Sequence, residues 1–127
     1  MPNYEATIAD FVIGDDLVIE RSITTVPSGQ TITDAWFTVK RKYSDLDVDA
    51  LIQKEITPVL QATIGHIDDT GADGTGHLIF YLTPTDTLLL NPLSDYRYDI
   101  QLKLSGGSIS TPEIGIITAF PQVTRSS

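Results

Sequence analysis

Tyr96-Arg97-Tyr98-Asp99-Ile100-Gln101-Leu102-Lys103-Leu104 alternates without a break. Tyr96, Tyr98, Ile100, Leu102 and Leu104 fall on one side of an extended chain, and Arg97, Asp99, Gln101 and Lys103 fall on the other. A period of two with clean segregation predicts a strand with one face in a core and one in water. Strands of parallel α/β sheets are apolar on both faces, so this pattern points to an antiparallel sheet covered on one side only.

Reading outward, Ser105-Gly106-Gly107-Ser108 turns the chain. Ile109 to Thr111 and Ile114 to Val123 then supply a last strand or a pair of strands, with Pro121 placing the end on a sheet edge or beyond it. Upstream, Thr83-Pro84-Thr85-Asp86 is a helix start: Thr83 can cap, Pro84 suits the first helical position, and Asp86 can bond back to the cap. Leu88-Leu89-Leu90 follows and Asn91-Pro92 stops it, so one or two helical turns are expected to cross between sheets.

The first half reads in the same way. Phe11-Val12-Ile13 is extended, Gly14-Asp15-Asp16 turns, and Leu17 to Thr24 alternates as a strand ended by Pro27-Ser28-Gly29. Ala35, Phe37 and Val39 alternate with Trp36, Thr38 and Lys40, and Trp36 is expected in or beside the core. Asp45 to Ile52 reads either as a short helix or as a loop leading into a strand at Leu51 to Thr57, and loop then strand is preferred. Ala62 to Ile67 and His77 to Leu82 read as a hairpin joined by the polar loop Asp68 to Gly76. About seven to nine short strands, one helical turn, no repeat and no linker predict a single all-β antiparallel sandwich over residues 1–127.

Composition agrees. The chain has 127 residues, 41% hydrophobic and 20% charged, a globular balance in the size range of one domain. It has no cysteine, which removes disulfides, thiolate metal sites and a cysteine nucleophile together. The net charge of −9 argues against nucleic acid and anionic membranes as partners. No apolar run reaches the roughly 20 residues of a membrane helix. Met1 to Asp10 lacks the features of a secretory signal, so synthesis in a cytoplasm is expected, with any export inside a larger assembly.

Motifs for chemistry fall short. Asp45-x-Asp47-x-Asp49 begins like a calcium loop, but Ala50 stands where glycine is needed and Ile56 where a bidentate glutamate is needed. Gly71 to Gly76 lacks the Gly-Lys-Ser/Thr and following helix of a phosphate loop. His66 and His77 flank the polar loop and could approach each other, without a cysteine to complete a zinc site. No Gly-x-Ser-x-Gly occurs. No catalytic residue, metal ligand or cofactor is therefore assigned. Lys40-Arg41-Lys42 is the one basic run in an acidic chain, read either as a solvated strand end or as a contact for an acidic partner or second copy.

Phe80-Tyr81-Leu82-Thr83-Pro84-Thr85-Asp86-Thr87, then Tyr96 to Leu102, Gly107, Thr111-Pro112-Glu113, Gly115 and Val123-Thr124-Arg125 come in a recognisable order. With Gly14-Asp15-Asp16-Leu17 and Phe37-Thr38-Val39-Lys40, the chain over roughly Ala9 to Arg125 resembles small immunoglobulin-like virion proteins of tailed bacteriophages. It particularly resembles the N-terminal domain of upper baseplate proteins, which attaches receptor-binding parts to the tail. The resemblance implies an immunoglobulin-like sandwich without enzymatic activity, located in the virion and docked on other virion proteins as a homo-oligomer. Upper baseplate proteins usually continue into a stalk, whereas this chain stops at Ser127. That departure implies either a stand-alone tail or baseplate adaptor or a capsid decoration protein. A carbohydrate-binding module is a more distant alternative, with Trp36, Tyr4 and Tyr43 as candidate stacking residues. A small hydrolase would need two carboxylates, or a serine and a histidine, to converge in one pocket.

Overall fold

The structure, a computed structural model, describes residues 5–9, 11–42 and 46–122. The strands are β1 (Glu5–Ile8), β2 (Leu17–Ile23), β3 (Ile32–Lys40), β4 (Ile52–Ile56), β5 (Gly65–Thr70), β6 (Gly76–Leu82), β7 (Tyr96–Leu104) and β8 (Ile109–Ile117). A short helix, α1 (Pro84–Thr87), joins β6 to β7, and a single 3-10 turn covers Asp47–Asp49. The strands form a five-stranded sheet in the order β1-β8-β7-β3-β4 and a three-stranded sheet in the order β2-β6-β5.

The chain changes sheet after β1, β2, β4 and β6, which is the Greek-key path of an immunoglobulin-like sandwich. The pairing is not wholly antiparallel, because β1 runs parallel to β8, from Glu5 opposite Ile114 to Ile8 opposite Ile117. The sequence reading has no strand at β1. By joining β8, β1 leaves β2 at an edge of the smaller sheet.

The alternation in β7 is realised in full: Tyr96, Tyr98, Ile100, Leu102 and Leu104 are buried between the sheets. Beside them in the same sheet lie Ala35, Phe37 and Val39 of β3, and across from them, in the other sheet, Leu78, Phe80 and Leu82 of β6 complete the core. Phe37 is its aromatic centre, with ring centroids 5.7 Å from Phe80 and 5.5 Å from Tyr98. Trp36 is not a core residue. A strand sends neighbouring side chains to opposite faces, and Phe37 shares its parity with Ala35 and Val39, so Trp36 points outward.

Other boundaries differ for similar reasons. The hairpin loop is shorter than Asp68 to Gly76, since β5 runs to Thr70 and β6 starts at Gly76. Asp68 is accommodated by a bulge between Ile67 and Asp69. Residues 62–64 belong to a turn rather than a strand. The chain after Ser108 forms one strand, not two, because a bulge absorbs Thr111 and Pro112: Ile100 faces Glu113 while Leu102 faces Ser110. A bulge is one of the few places where a strand tolerates proline.

The crossing from β6 to β7 is tightly bonded. The Thr83 hydroxyl accepts from Asp86 N–H at 3.3 Å, and the Asp86 carboxylate accepts from Thr83 N–H at 2.8 Å, a complete capping box. The fully buried Thr87 hydroxyl accepts from Gly14 N–H and donates to the Asp15 carbonyl, both at 2.9 Å. Tyr96, at the start of β7, accepts from Asn91 N–H at 2.8 Å through its hydroxyl. This is the tyrosine corner expected where an immunoglobulin-like chain enters this strand.

Thr87→Val keeps the shape but leaves Gly14 N–H and the Asp15 carbonyl without their buried partner, so it should cost about 1–3 kcal/mol. Gly65 has φ +116°, and a Cβ there would fall on the Ile79 carbonyl oxygen. Gly65→Ala should therefore cost about 1–3 kcal/mol. Urea unfolding of both variants measures these losses.

Candidate functional site

Two cations point inward from edge strands, and each reaches across the sandwich. Arg21 has the inward parity of Ile19 and Ile23 on β2. Its guanidinium grips the Glu113 carboxylate of β8 bidentately, Nε to Oε1 at 2.8 Å and Nη2 to Oε2 at 3.1 Å. Tyr98 donates its hydroxyl to the same Oε2. Nη1 of Arg21 also donates to the Glu20 carbonyl at 2.8 Å. Lys54 has the inward parity of Ile52 and Ile56 on β4 and meets the Asp86 carboxylate of the capping box at 2.8 Å.

These groups hold one another in fixed protonation states. Burial pushes Glu113 up, but hydrogen bonds from Arg21 and Tyr98 outweigh it and hold the carboxyl below its ordinary value. Burial, and then the Glu113 carboxylate, pushes the Tyr98 phenol well above its ordinary value. Burial opposes ionisation of Asp86, and Lys54 with Thr83 overcomes it. A locked donor, a locked acceptor and a guanidinium make a structural clamp, and the cleft beside it holds only about 90 Å³.

The two histidines do meet. On the outer face of the smaller sheet, the Asp68 carboxylate lies 3.3 Å from His66 Nε2 and 3.3 Å from His77 Nδ1. His77 and then His66 draw Asp68 below its ordinary value. Among the described residues no three His, Asp or Glu side chains are grouped so as to hold a metal ion. Of the calcium-like run, Asp49 donates its N–H to the Leu46 carbonyl in the 3-10 turn, while Asp45 lies outside the described residues. Tyr4 and Tyr43 lie outside them as well.

Lys40 ends β3 opposite Arg97 of β7, and Arg41 and Lys42 follow it on the exposed surface. This basic corner lies at the end of the sandwich where β2 begins and β6 and β8 finish. The same end carries a feature that the sequence reading did not single out. Leu88, Leu89, Leu93 and Phe120 are 57%, 51%, 66% and 51% exposed. Backbone bonds draw their segments together: Leu93 N–H to the Ala119 carbonyl at 2.8 Å, Ile13 N–H to the Phe120 carbonyl at 3.0 Å. Gly14 lies against the Leu88 and Gln122 side chains. Beside this surface an open cleft of about 340 Å³ runs between Leu17 and Val18 of β2 and Ala62 and Thr63.

Leu93 has the one left-handed backbone among the described non-glycine residues, φ 63°. Pro92 precedes it, and Ser94 N–H points back at the Asn91 carbonyl at 3.4 Å. A turn with proline second and positive φ third ordinarily has glycine or asparagine third. A leucine there is strained, and its side chain faces water. Comparison with protein-family models and with curated proteins finds no match to this chain.

The clamp has a pH signature. A carboxyl held below its unfolded value contributes stability above that value, and the contribution is lost as pH falls through the folded one. Glu113→Gln should cost about 1–2 kcal/mol at pH 7, the value of charge-assisted hydrogen bonds discounted for contact with water. The difference from the parent should begin to shrink below about pH 4, where the unfolded glutamate takes up its proton, and should vanish only below the lower value of the folded state, where the glutamate is neutral in both states. Urea midpoints of both proteins at neutral and acid pH measure it.

Proposed function

We propose that this chain is a non-enzymatic structural protein of a tailed-bacteriophage virion that docks on another virion protein as a tail or baseplate adaptor. Docking uses the apolar end of the sandwich. The observation that carries this is Leu93, an exposed leucine held in a left-handed conformation and bonded to the segment that carries the exposed Phe120. Strain of that kind costs about 1–2 kcal/mol in an L-residue, and it leaves the leucine 66% exposed. Strained residues cluster at functional sites, and contiguous exposed apolar surface marks sites of protein contact.

The location comes from the resemblance of the ordered segments Phe80–Thr87, Tyr96–Leu102 and Thr111–Gly115 to immunoglobulin-like baseplate domains. The basic corner Lys40-Arg41-Lys42 at the same end supplies a charged rim, which suits an acidic partner surface. Homo-oligomeric copies around a tail axis would present this end in a ring.

Gold-labelled antibody against the protein, applied to purified virions, is expected to mark the tail or its tip. Label over the head would assign it to capsid decoration instead, and absence from virions would refute a structural role. Leu93→Gly is expected to stabilise the isolated domain by up to about 1 kcal/mol, since glycine adopts positive φ without strain. Leu93→Asp is expected to leave the fold intact and to lower incorporation into virions.

A further inference from the structure

The outward face of the five-stranded sheet carries a second surface, separate from the apolar end. Trp36 lies at its middle, with Glu55 of β4 and Gln101 of β7 as direct cross-strand neighbours. Trp36, Gln53, Gln101 and the exposed Ile109 line an open depression of about 320 Å³. Its origin is the bulge at Thr111 and Pro112. Gln101 is paired with Trp36 on one side but has no register partner on β8, so the sheet surface is indented there. Bulges recur beside binding sites because they re-aim side chains and interrupt pairing.

The lining has a definite chemistry. Its apolar lining is the Trp36 indole and the Ile109 side chain. Its polar lining is the Gln53 and Gln101 amides, and the Glu55 carboxyl lies beside Trp36 on the neighbouring strand. The Gln53 amide is oriented by a hydrogen bond to Thr38 Oγ1 at 3.3 Å. The Glu55 carboxyl faces the Asp34 carboxyl and the Trp36 indole, and its hydrogen bond with Asp34 raises it above its ordinary value. An aromatic plate beside amides and paired carboxylates matches a sugar ring, which has an apolar C–H face and a rim of hydroxyls that both donate and accept. Amide side chains can serve both roles at once, and carboxylates accept from hydroxyls. The volume is at the lower end of ligand sites, about 300–1,000 Å³, and the openness of the site suits a chain passing over it rather than an enclosed monomer. With Asp34 and Glu55 beside Trp36 and a chain charge of −9, anionic sugars are repelled.

We propose that the indented face around Trp36, Gln53 and Gln101 is a binding site for a neutral oligosaccharide. Trp36 stacks on a sugar ring, Gln53 and Gln101 bond its hydroxyls, and Asp34 with Glu55 excludes acidic glycans. The proposal is independent of the docking end, and a protein could carry both.

Trp36 is the only tryptophan of the chain, so its emission reports on this site alone. The full-length protein would be screened on a printed array of neutral and acidic microbial and plant oligosaccharides. Each hit would then be titrated by tryptophan fluorescence. The expected result is a saturable change in emission with at least one neutral oligosaccharide and none with uronic or sulfated ones. Gln101→Ala should weaken that binding at least about tenfold, with the amide spectrum showing an intact fold, while Arg41→Ala should leave it unchanged. No binding to any neutral array member would overturn the proposal. So would binding that persists within about twofold in both Gln101→Ala and Trp36→Ala, the latter measured by titration calorimetry because it has no tryptophan to report.

Discussion

The fold depends on one constraint: the chain must leave the smaller sheet after Leu82 and enter the larger one at Tyr96 without stranding buried backbone groups. Thr83, Thr87 and Tyr96 meet it with three hydroxyls. Thr83 closes the first helical turn, Thr87 ties that turn to Gly14 and Asp15, and Tyr96 holds Asn91 as the chain comes down into β7. The interaction at Thr87 also fixes where β2 starts. The segment before β2 and the segment before β7 therefore share one buried oxygen, and the two sheets are aligned through it.

With the crossing in place, the sides of the sandwich remain to be sealed. Arg21 and Lys54 do this from opposite sheets, each an inward charge on an edge strand. Such charges discourage edge-to-edge pairing with another copy. Here they are also consumed by Glu113 and Asp86, so the charge that guards the edge holds the sheets together. Bidentate geometry and a third hydrogen bond from Tyr98 make the Arg21 side the more specific of the two.

Much of this was legible in the sequence, where the signal was local. The alternation in β7, the capping residues Thr83, Pro84 and Asp86, and the turn at Gly14 depend on neighbours within a few residues. The strand β1 was not legible, because four residues carry too little alternation and its partner β8 lies over a hundred positions away. Trp36 was misplaced because adjacent aromatics compete for the core, and only the parity shared by Ala35, Phe37 and Val39 decides between them. The surfaces were harder still. Lys40-Arg41-Lys42 shows as a run, but Arg21 and Glu113 are 92 residues apart. The indentation at Gln101 exists only through a register shift on the neighbouring strand. Before Leu93 the proline signalled the end of the helix, while the leucine itself concealed the positive φ.

The parallel pairing of β1 with β8 has a mechanical consequence. Tension that enters at Glu5 and leaves at Ile117 pulls the two strands past each other along their length. The hydrogen bonds between them lie across that direction and are loaded together, in shear, rather than opened one after another as in a peeled hairpin. Rupture then requires several bonds to fail at once. The first strand is short, but its orientation makes it a latch suited to a domain that is held under load from its two ends.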